Sequence, residues 1–395
     1  MNKALVLTAS TGGGHNIAAA SVKELFQMEN FDCIVADGFQ ETNLCVNGIL
    51  SKGYDEIVRI CPRLYGALYH IANVRVINTL VSAFLTKVVT EKMNQLIEKN
   101  DPDLIITTHP LLTGVVGRIK KKSGWKIPVV SVVTDYRIHR SYINNAIDGY
   151  IVGSEYTKTT MMEKGVQAQK VFPYGIPVRQ AFINVPKSKK ANKCSNSWKG
   201  EFFSVLVMAG SMGVGDVEQV LDALAGQPMK LSVSVVCGNN KKLKDKCEKW
   251  KEKQDSNHEF FVLGFVDEIA KQMAAADLLV SKPGGLTTTE AMTVHLPMII
   301  PFFIPGQEKE NTEFLTKNKA AIFVRTKMEL QREIRYLLEN QVLVEKMSEN
   351  MAGLSKANQM ADTVKLARDL IDEYKVYFKG SEESIRLSEE YYNPL

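Results

Sequence analysis

Residues Ser281 to Asn311, SKPGGLTTTEAMTVHLPMIIPFFIPGQEKEN, contain two strand ends, each followed by a cluster of polar residues. The apolar stretch from Asp277 to Val280 predicts a buried strand that runs into Pro283-Gly284-Gly285. A threonine-rich helix start follows, then a helix through Glu290 to His295, a second apolar strand from Met298 to Phe303, and a Pro-Gly-Gln-Glu turn. A strand that runs into glycines and a helix N-terminus suits an anion. Glycine lets a ligand approach the backbone, and the first-turn N–H groups and the dipole favour negative charge. Thr287, Thr288 and Thr289 add hydroxyls there, and Glu290, about one turn in, is placed to accept hydrogen bonds from a ribose diol. A capped helix beside a tight turn has the same local pattern. The second cluster, Gly306-Gln307-Glu308 with Asn311, favours a binding site, because ligands of open parallel sheets sit beyond the carboxyl ends of strands.

The 395-residue chain is long enough for two domains with full cores. Its 45% hydrophobic and 24% charged content is that of an ordinary globular protein. A net charge of +5 is too small to argue for nucleic acid, but suits a protein that visits an anionic lipid surface. The six cysteines form no C-x-x-C pair and no metal-ligand spacing, which points to reduced thiols in a cytosol. The apolar run in MNKALVLTAS is too short for a signal peptide. No segment approaches the ~20 apolar residues of a membrane span. Membrane contact is therefore expected to be peripheral, on the cytoplasmic face.

Elsewhere the chain alternates short apolar strands with helices, an α/β pattern of parallel sheets. Ala4 to Thr8 is a buried strand leading to Ser10-Thr11-Gly12-Gly13-Gly14-His15, with a helix from about Asn16 to Met28 and a strand from Cys33 to Ala36. The turn is neither a P-loop, which needs Gly-Lys-Ser/Thr, nor a dinucleotide fingerprint, since Ile17 stands where the third glycine belongs. It delivers His15 to a helix start, where the dipole favours the neutral imidazole expected of a general base. Capping of its own helix is the alternative. Strands at Leu104 to Thr107, Val129 to Val133 and Tyr150 to Val152 end in polar residues on the same rim. Asp135 among them is a candidate orienter of His15 or second base. Asp101-Pro-Asp103 precedes its strand and reads as a turn.

Residues Asn43 to Thr90 are less regular, mixing Tyr54, Tyr65, Tyr69 and Phe84 with basic residues. Ile57, Ile60, Leu64, Leu68 and Ile71 recur at helical spacing, which fits either a lipid-facing segment or an amphipathic helix on the core. The lysine-rich, aperiodic residues 186–200 read as a linker. They separate an N-terminal Rossmann-like domain (1–185) from a second one (201–375), with a helical tail at 376–395. Strands at Ser204 to Met208, Leu231 to Val236, Phe260 to Leu263 and Ala321 to Val324 belong to the second domain. A cleft between the halves is expected, with glycine turns facing it from both sides.

The TGGGH turn, the VVTDY strand end, the AGSMG turn, the LGFV strand and the SKPGG, TTTEA and PGQEKEN motifs resemble the UDP-sugar transferases that make glycolipids. The chain is similar over nearly its whole length to processive diacylglycerol β-glucosyltransferases and monogalactosyldiacylglycerol synthases. It is more distantly similar to the enzyme that adds N-acetylglucosamine to the lipid-linked peptidoglycan precursor. The resemblance implies a GT-B fold, with two Rossmann-like domains facing a central cleft. The N-terminal one takes the lipid acceptor and the C-terminal one the UDP-sugar. It also implies roles for single residues. Gly210, Ser211 and Thr287 to Thr289 would hold the diphosphate and Phe265 the uracil, with Gly285 and Leu286 also contacting the UDP-sugar. Glu290 would take the ribose; Gln307, Glu308 and Asn311 the sugar. Arg179 would reach the phosphates and His15 would sit in the acceptor cleft. The implied reaction moves glucose or galactose to diacylglycerol with inversion, with no resident metal or cofactor. A polyprenyl-linked acceptor, a UDP-sugar epimerase and a UDP-sugar sensor are the competing readings.

Overall fold

The computed structural model describes residues 1–10, 12–186, 202–208 and 217–392. The linker, beyond Pro186, and the turn with Gly210 and Ser211 lie outside the described residues. The rest folds into two six-stranded sheets, every described pairing parallel. The first contains β1 (Lys3–Thr8), β2 (Asp32–Asp37), β3 (Leu104–Thr107), β4 (Val129–Val132), β5 (Gly149–Ile151) and β6 (Val171–Phe172), in the order β2-β1-β3-β4-β5-β6. The second contains β7 (Phe203–Met208), β8 (Leu231–Val236), β9 (Glu259–Leu263), β10 (Leu278–Ser281), β11 (Met298–Ile300) and β12 (Ala321–Phe323), in the order β12-β11-β10-β7-β8-β9.

The strands are continuous apolar runs because helices cover both faces of each sheet. Leu104, Ile105, Ile106 and Thr107 of β3 are all buried. Each sheet has its switch point where chain order reverses: between β1 and β3 in the first, between β10 and β7 in the second. Crevices that bind ligands form at the carboxyl ends of such strands. The helix that starts after β1, Gly12–Met28, carries His15; the one after β10, Gly285–Thr293, carries the threonines.

One sequence expectation changes: the helix expected to start near Asn16 begins at Gly12, so the glycines form its first turn. The Asn43 to Thr90 region, with its apolar residues at helical spacing, is helical almost throughout, as Leu44–Ile60, Pro62–Ala72 and the start of Arg75–Asn100. Pro62 stands at the first position of its helix, where its missing N–H costs nothing. Much of this helical unit's apolar surface faces outward. Leu64, Leu68, Ile71, Val76, Leu80 and Phe84 are all exposed. Among the described residues no single helix is long and apolar enough to cross a membrane; Arg63–Ala72 and Arg75–Asn100 pass by length and composition only as a pair bent by 89°.

The last helix, Met360–Tyr392, runs unbroken from the second half back onto the first. Lys120 Nζ donates to Tyr374 Oη at 2.7 Å, and Tyr374 donates to Asp148 Oδ1 at 2.6 Å. Lys375 pairs with Asp103 at 3.0 Å, and Asp103 also accepts from the Lys3 amide at 2.8 Å, so the Asp-Pro-Asp turn is structural.

Candidate active site

The first half contributes a histidine whose tautomer is set by its neighbours. His15 Nδ1 lies 2.8 Å from the Thr108 carbonyl and 3.2 Å from Thr134 Oγ1. A carbonyl only accepts, so Nδ1 carries the proton and Nε2 presents its lone pair. The His109 ring packs edge-on at 4.6 Å. Burial lowers the His15 pKa to about 4, against a smaller opposing effect of the Thr108 bond. Its neutrality therefore comes from desolvation in the cleft. The ring is oriented by Thr108 and Thr134, not by Asp135 as one of the two expected roles required. Thr134 is fixed in turn by Tyr142, with the hydroxyls 3.0 Å apart.

Asp135 faces the other half. Its Oδ1 lies 3.6 Å from the point where a Cβ on Gly285 would stand. Burial, then the charges of Glu310 and Glu308, raises its carboxyl pKa to about 7. Tyr136 closes the contact. Its hydroxyl is 2.7 Å from Thr289 Oγ1, its amide donates to Asn311 Oδ1 at 3.1 Å, and its ring stacks on Phe314 at 4.5 Å.

The second half presents the N-termini of two helices, Gly285–Thr293 and Gln307–Lys317. Around Gly285 the halves nearly touch, since an added Cβ would stand 1.9 Å from the Thr134 carbonyl oxygen. Thr287 is half-buried on the rim, while Leu286 packs into the core. Thr288 Oγ1 is buried without a hydrogen-bond partner among the described residues, and so is Arg179 Nε. Arg179 and Glu290, expected on the phosphates and the ribose respectively, meet as an ion pair at 2.9 Å. Burial raises the Glu290 carboxyl pKa, and Arg179 opposes that rise.

The residues expected to hold a sugar divide in two. Gln307, half-buried, begins its helix. Glu308 is buried and anchored, accepting from Lys282 Nζ at 2.5 Å and from the Ile304 amide at 2.8 Å. The amide of Asn311 is used on both sides, accepting from Tyr136 and donating to the Pro283 carbonyl at 3.0 Å, so here it ties the halves together. Phe265, beyond edge strand β9, is 65% exposed. No group of three or more His, Cys, Asp or Glu side chains among the described residues is arranged to hold a metal ion.

A family model for monogalactosyldiacylglycerol (MGDG) synthase matches residues 15–178, and one for the glycosyltransferase family 28 C-terminal domain matches residues 204–367. A processive diacylglycerol beta-glucosyltransferase from Bacillus pumilus (strain SAFR-032) is 31% identical over 385 residues, covering 96% of this chain and 98% of the relative. The chain belongs to this family. It shares its fold with MurG of Acinetobacter baumannii, at a TM-score of 0.65 and 16% identity, over 93% of this chain and 100% of that one. It is similar too to a UDP co-structure of S. aureus MnaA, at a TM-score of 0.60 and 13% identity, over 94% and 98% of the two chains. The architecture is GT-B.

In this diacylglycerol glucosyltransferase family member the sequence reading missed Thr134, Tyr136, Lys282 and Glu310. Glu310 accepts from the Tyr69 hydroxyl at 3.4 Å and lies 3.8 Å from Arg137 Nε. It stands three residues beyond Gln307, on the same helix face, and that spacing was the available signal. Thr134 and Tyr136 flank Asp135 and gain their roles only from partners in the other half.

Proposed function

We propose that the protein transfers a hexose, glucose or galactose, from a UDP-sugar to the free hydroxyl of 1,2-diacylglycerol with inversion. The product is a β-linked glycolipid. The observation that carries this reading is Thr134. Its hydroxyl holds His15, and its carbonyl lies against Gly285 at the N-terminus that suits an anion. The base of one half and the anion site of the other are therefore adjacent. Residues 1–185 are read as the acceptor half, 186–200 as the linker, 201–375 as the donor half and 376–395 as a helical tail.

In this reading His15 Nε2 takes the proton of the lipid hydroxyl as its oxygen bonds to the anomeric carbon. The bond from that carbon to the UDP oxygen breaks on the opposite face, and its electron pair leaves with the diphosphate. The charge that develops there meets the first-turn N–H groups of Gly285–Thr293 and the hydroxyls of Thr287 and Thr288. Arg179 exchanges part of its contact with Glu290 for phosphate, while Glu290 binds the ribose. Phe265 offers a ring for uracil. Asp135 stands where its ionisation affects the donor. These groups serve without a resident metal or cofactor.

The outward apolar residues of Pro62–Ala72 and Arg75–Asn100 are read as the face that meets the membrane, peripherally and on the cytoplasmic side. Lys87, Arg63 and Arg75 add positive charge for anionic headgroups. The deciding experiment measures UDP release from UDP-glucose and UDP-galactose, with and without diacylglycerol in mixed micelles. Release that depends on diacylglycerol supports the reading and names the sugar. Absence of lipid-dependent release from either donor overturns it.

A further inference from the structure

Three polar atoms converge on Gly284, the residue before the first turn of Gly285–Thr293. Lys282 Nζ, Glu308 Oε1 and Thr287 Oγ1 each stand 3.9 Å from the point where a side chain at 284 would begin. The Lys282 and Glu308 side chains are 15% and 4% exposed, so both charges are largely removed from water. The other oxygen of Glu308 is held by the Ile304 amide. Its carboxylate thus has one oxygen on the main chain and one on the ammonium, and its plane is fixed. Without that ammonium the buried Oε1 would turn toward another donor. Lys282 prevents this. Arg179, another cation of this rim, is engaged with Glu290.

We infer that Lys282 is a positioning residue for the donor sugar: it holds Glu308 aimed over Gly284, so that the carboxylate can accept hydrogen bonds from sugar hydroxyls. The inference rests on the reading of Glu308 as a sugar contact. Lys282 acts through Glu308, and neither the uracil nor the diphosphate depends on it.

A mutant cycle on the full-length enzyme tests this, with donor KM and kcat measured in diacylglycerol micelles, UDP affinity by calorimetry and folding by thermal melting. Lys282→Met is expected to raise the KM for the UDP-sugar about tenfold, with UDP affinity unchanged. Lys282→Arg, which keeps a cation beside Glu308, should stay within about threefold of the native KM and guards against a variant that merely fails to fold. In the double variant K282M/E308Q the KM should equal that of E308Q alone, because Lys282 then has nothing left to orient. If K282M weakens UDP in step with the UDP-sugar, Lys282 is a diphosphate ligand and the positioning role is wrong. It is also wrong if E308Q raises KM while K282M does not. If E308Q leaves KM unchanged, the reading of Glu308 as a sugar contact fails on its own account, whatever K282M does.

Discussion

Gly285 and the Thr134 carbonyl approach so closely that a Cβ on the glycine would stand 1.9 Å from the oxygen. The oxygen belongs to the main chain after β4 and cannot rotate away, so any side chain at 285 pushes the halves apart. Misplacement by about 1 Å at a reaction centre costs on the order of 10²-fold in rate. Gly285→Ala is expected to lower kcat/KM for transfer by about that factor and to lower the melting temperature, since one apolar cluster runs from Val132 and Tyr136 of the first half to Leu286 and Phe314 of the second. Small-angle scattering should show a larger radius of gyration. Native activity in the variant would show that the approach of the halves is unimportant.

His15 is held neutral by burial and oriented by the Thr108 carbonyl, an arrangement useful only if Nε2 has a proton to take. General base catalysis contributes roughly 10²–10⁴-fold. His15→Ala should therefore lower kcat by that range and leave UDP affinity, measured by calorimetry, unchanged. A variant that kept turnover would point to another base.

Asp135 sets a pH dependence on the donor. Its carboxyl, raised to about 7, is neutral below that value and anionic above it. Its Oδ1 lies beside Gly285, where the diphosphate is expected, so bound donor disfavours the anion and binding takes up a proton. Affinity for the UDP-sugar should be highest below pH 7 and fall through the range 7 to 8.5, on the order of tenfold for a one-unit rise on binding. Asp135→Asn should flatten that profile. A profile unchanged in the variant would place the titration elsewhere.

Much of this fold could be read before any coordinates. Parallel strands covered on both faces leave unbroken apolar runs, and nearly all of them were found; β6, two residues long, has no pattern to read. In the Asn43 to Thr90 region the helical spacing of Ile57, Ile60, Leu64, Leu68 and Ile71 was legible, but which apolar residues stay exposed, as Leu80 and Phe84 do, was not, because apolar residues stand on several sides of Arg75–Asn100. Residue types at the site were legible, because glycines and hydroxyls beside strand ends carry local meaning. Pairings were not. Arg179 and Glu290 are 111 residues apart, and the partners of Tyr136 lie 153 and 175 residues away. Such contacts follow from how the halves close, which no local pattern encodes.

The outward apolar surface gives the last prediction. Leu80 and Phe84 are both 65% exposed, one turn apart on Arg75–Asn100, with Val76 a further turn back. A stripe of this kind is unfavourable in water and favourable at a bilayer's acyl boundary. Burying a leucine or phenylalanine side chain is worth about 1.5–3 kcal/mol, so losing even one such contact weakens partitioning roughly tenfold. Leu80→Ser and Phe84→Ser should each lower binding to vesicles of mixed neutral and anionic lipid by about that factor in a flotation assay. Neither residue supports a core, so the melting temperature should hold, and activity on a short-chain, water-soluble diacylglycerol should be retained. Loss of activity on the soluble acceptor as well would mean that the stripe binds the substrate's chains rather than the membrane.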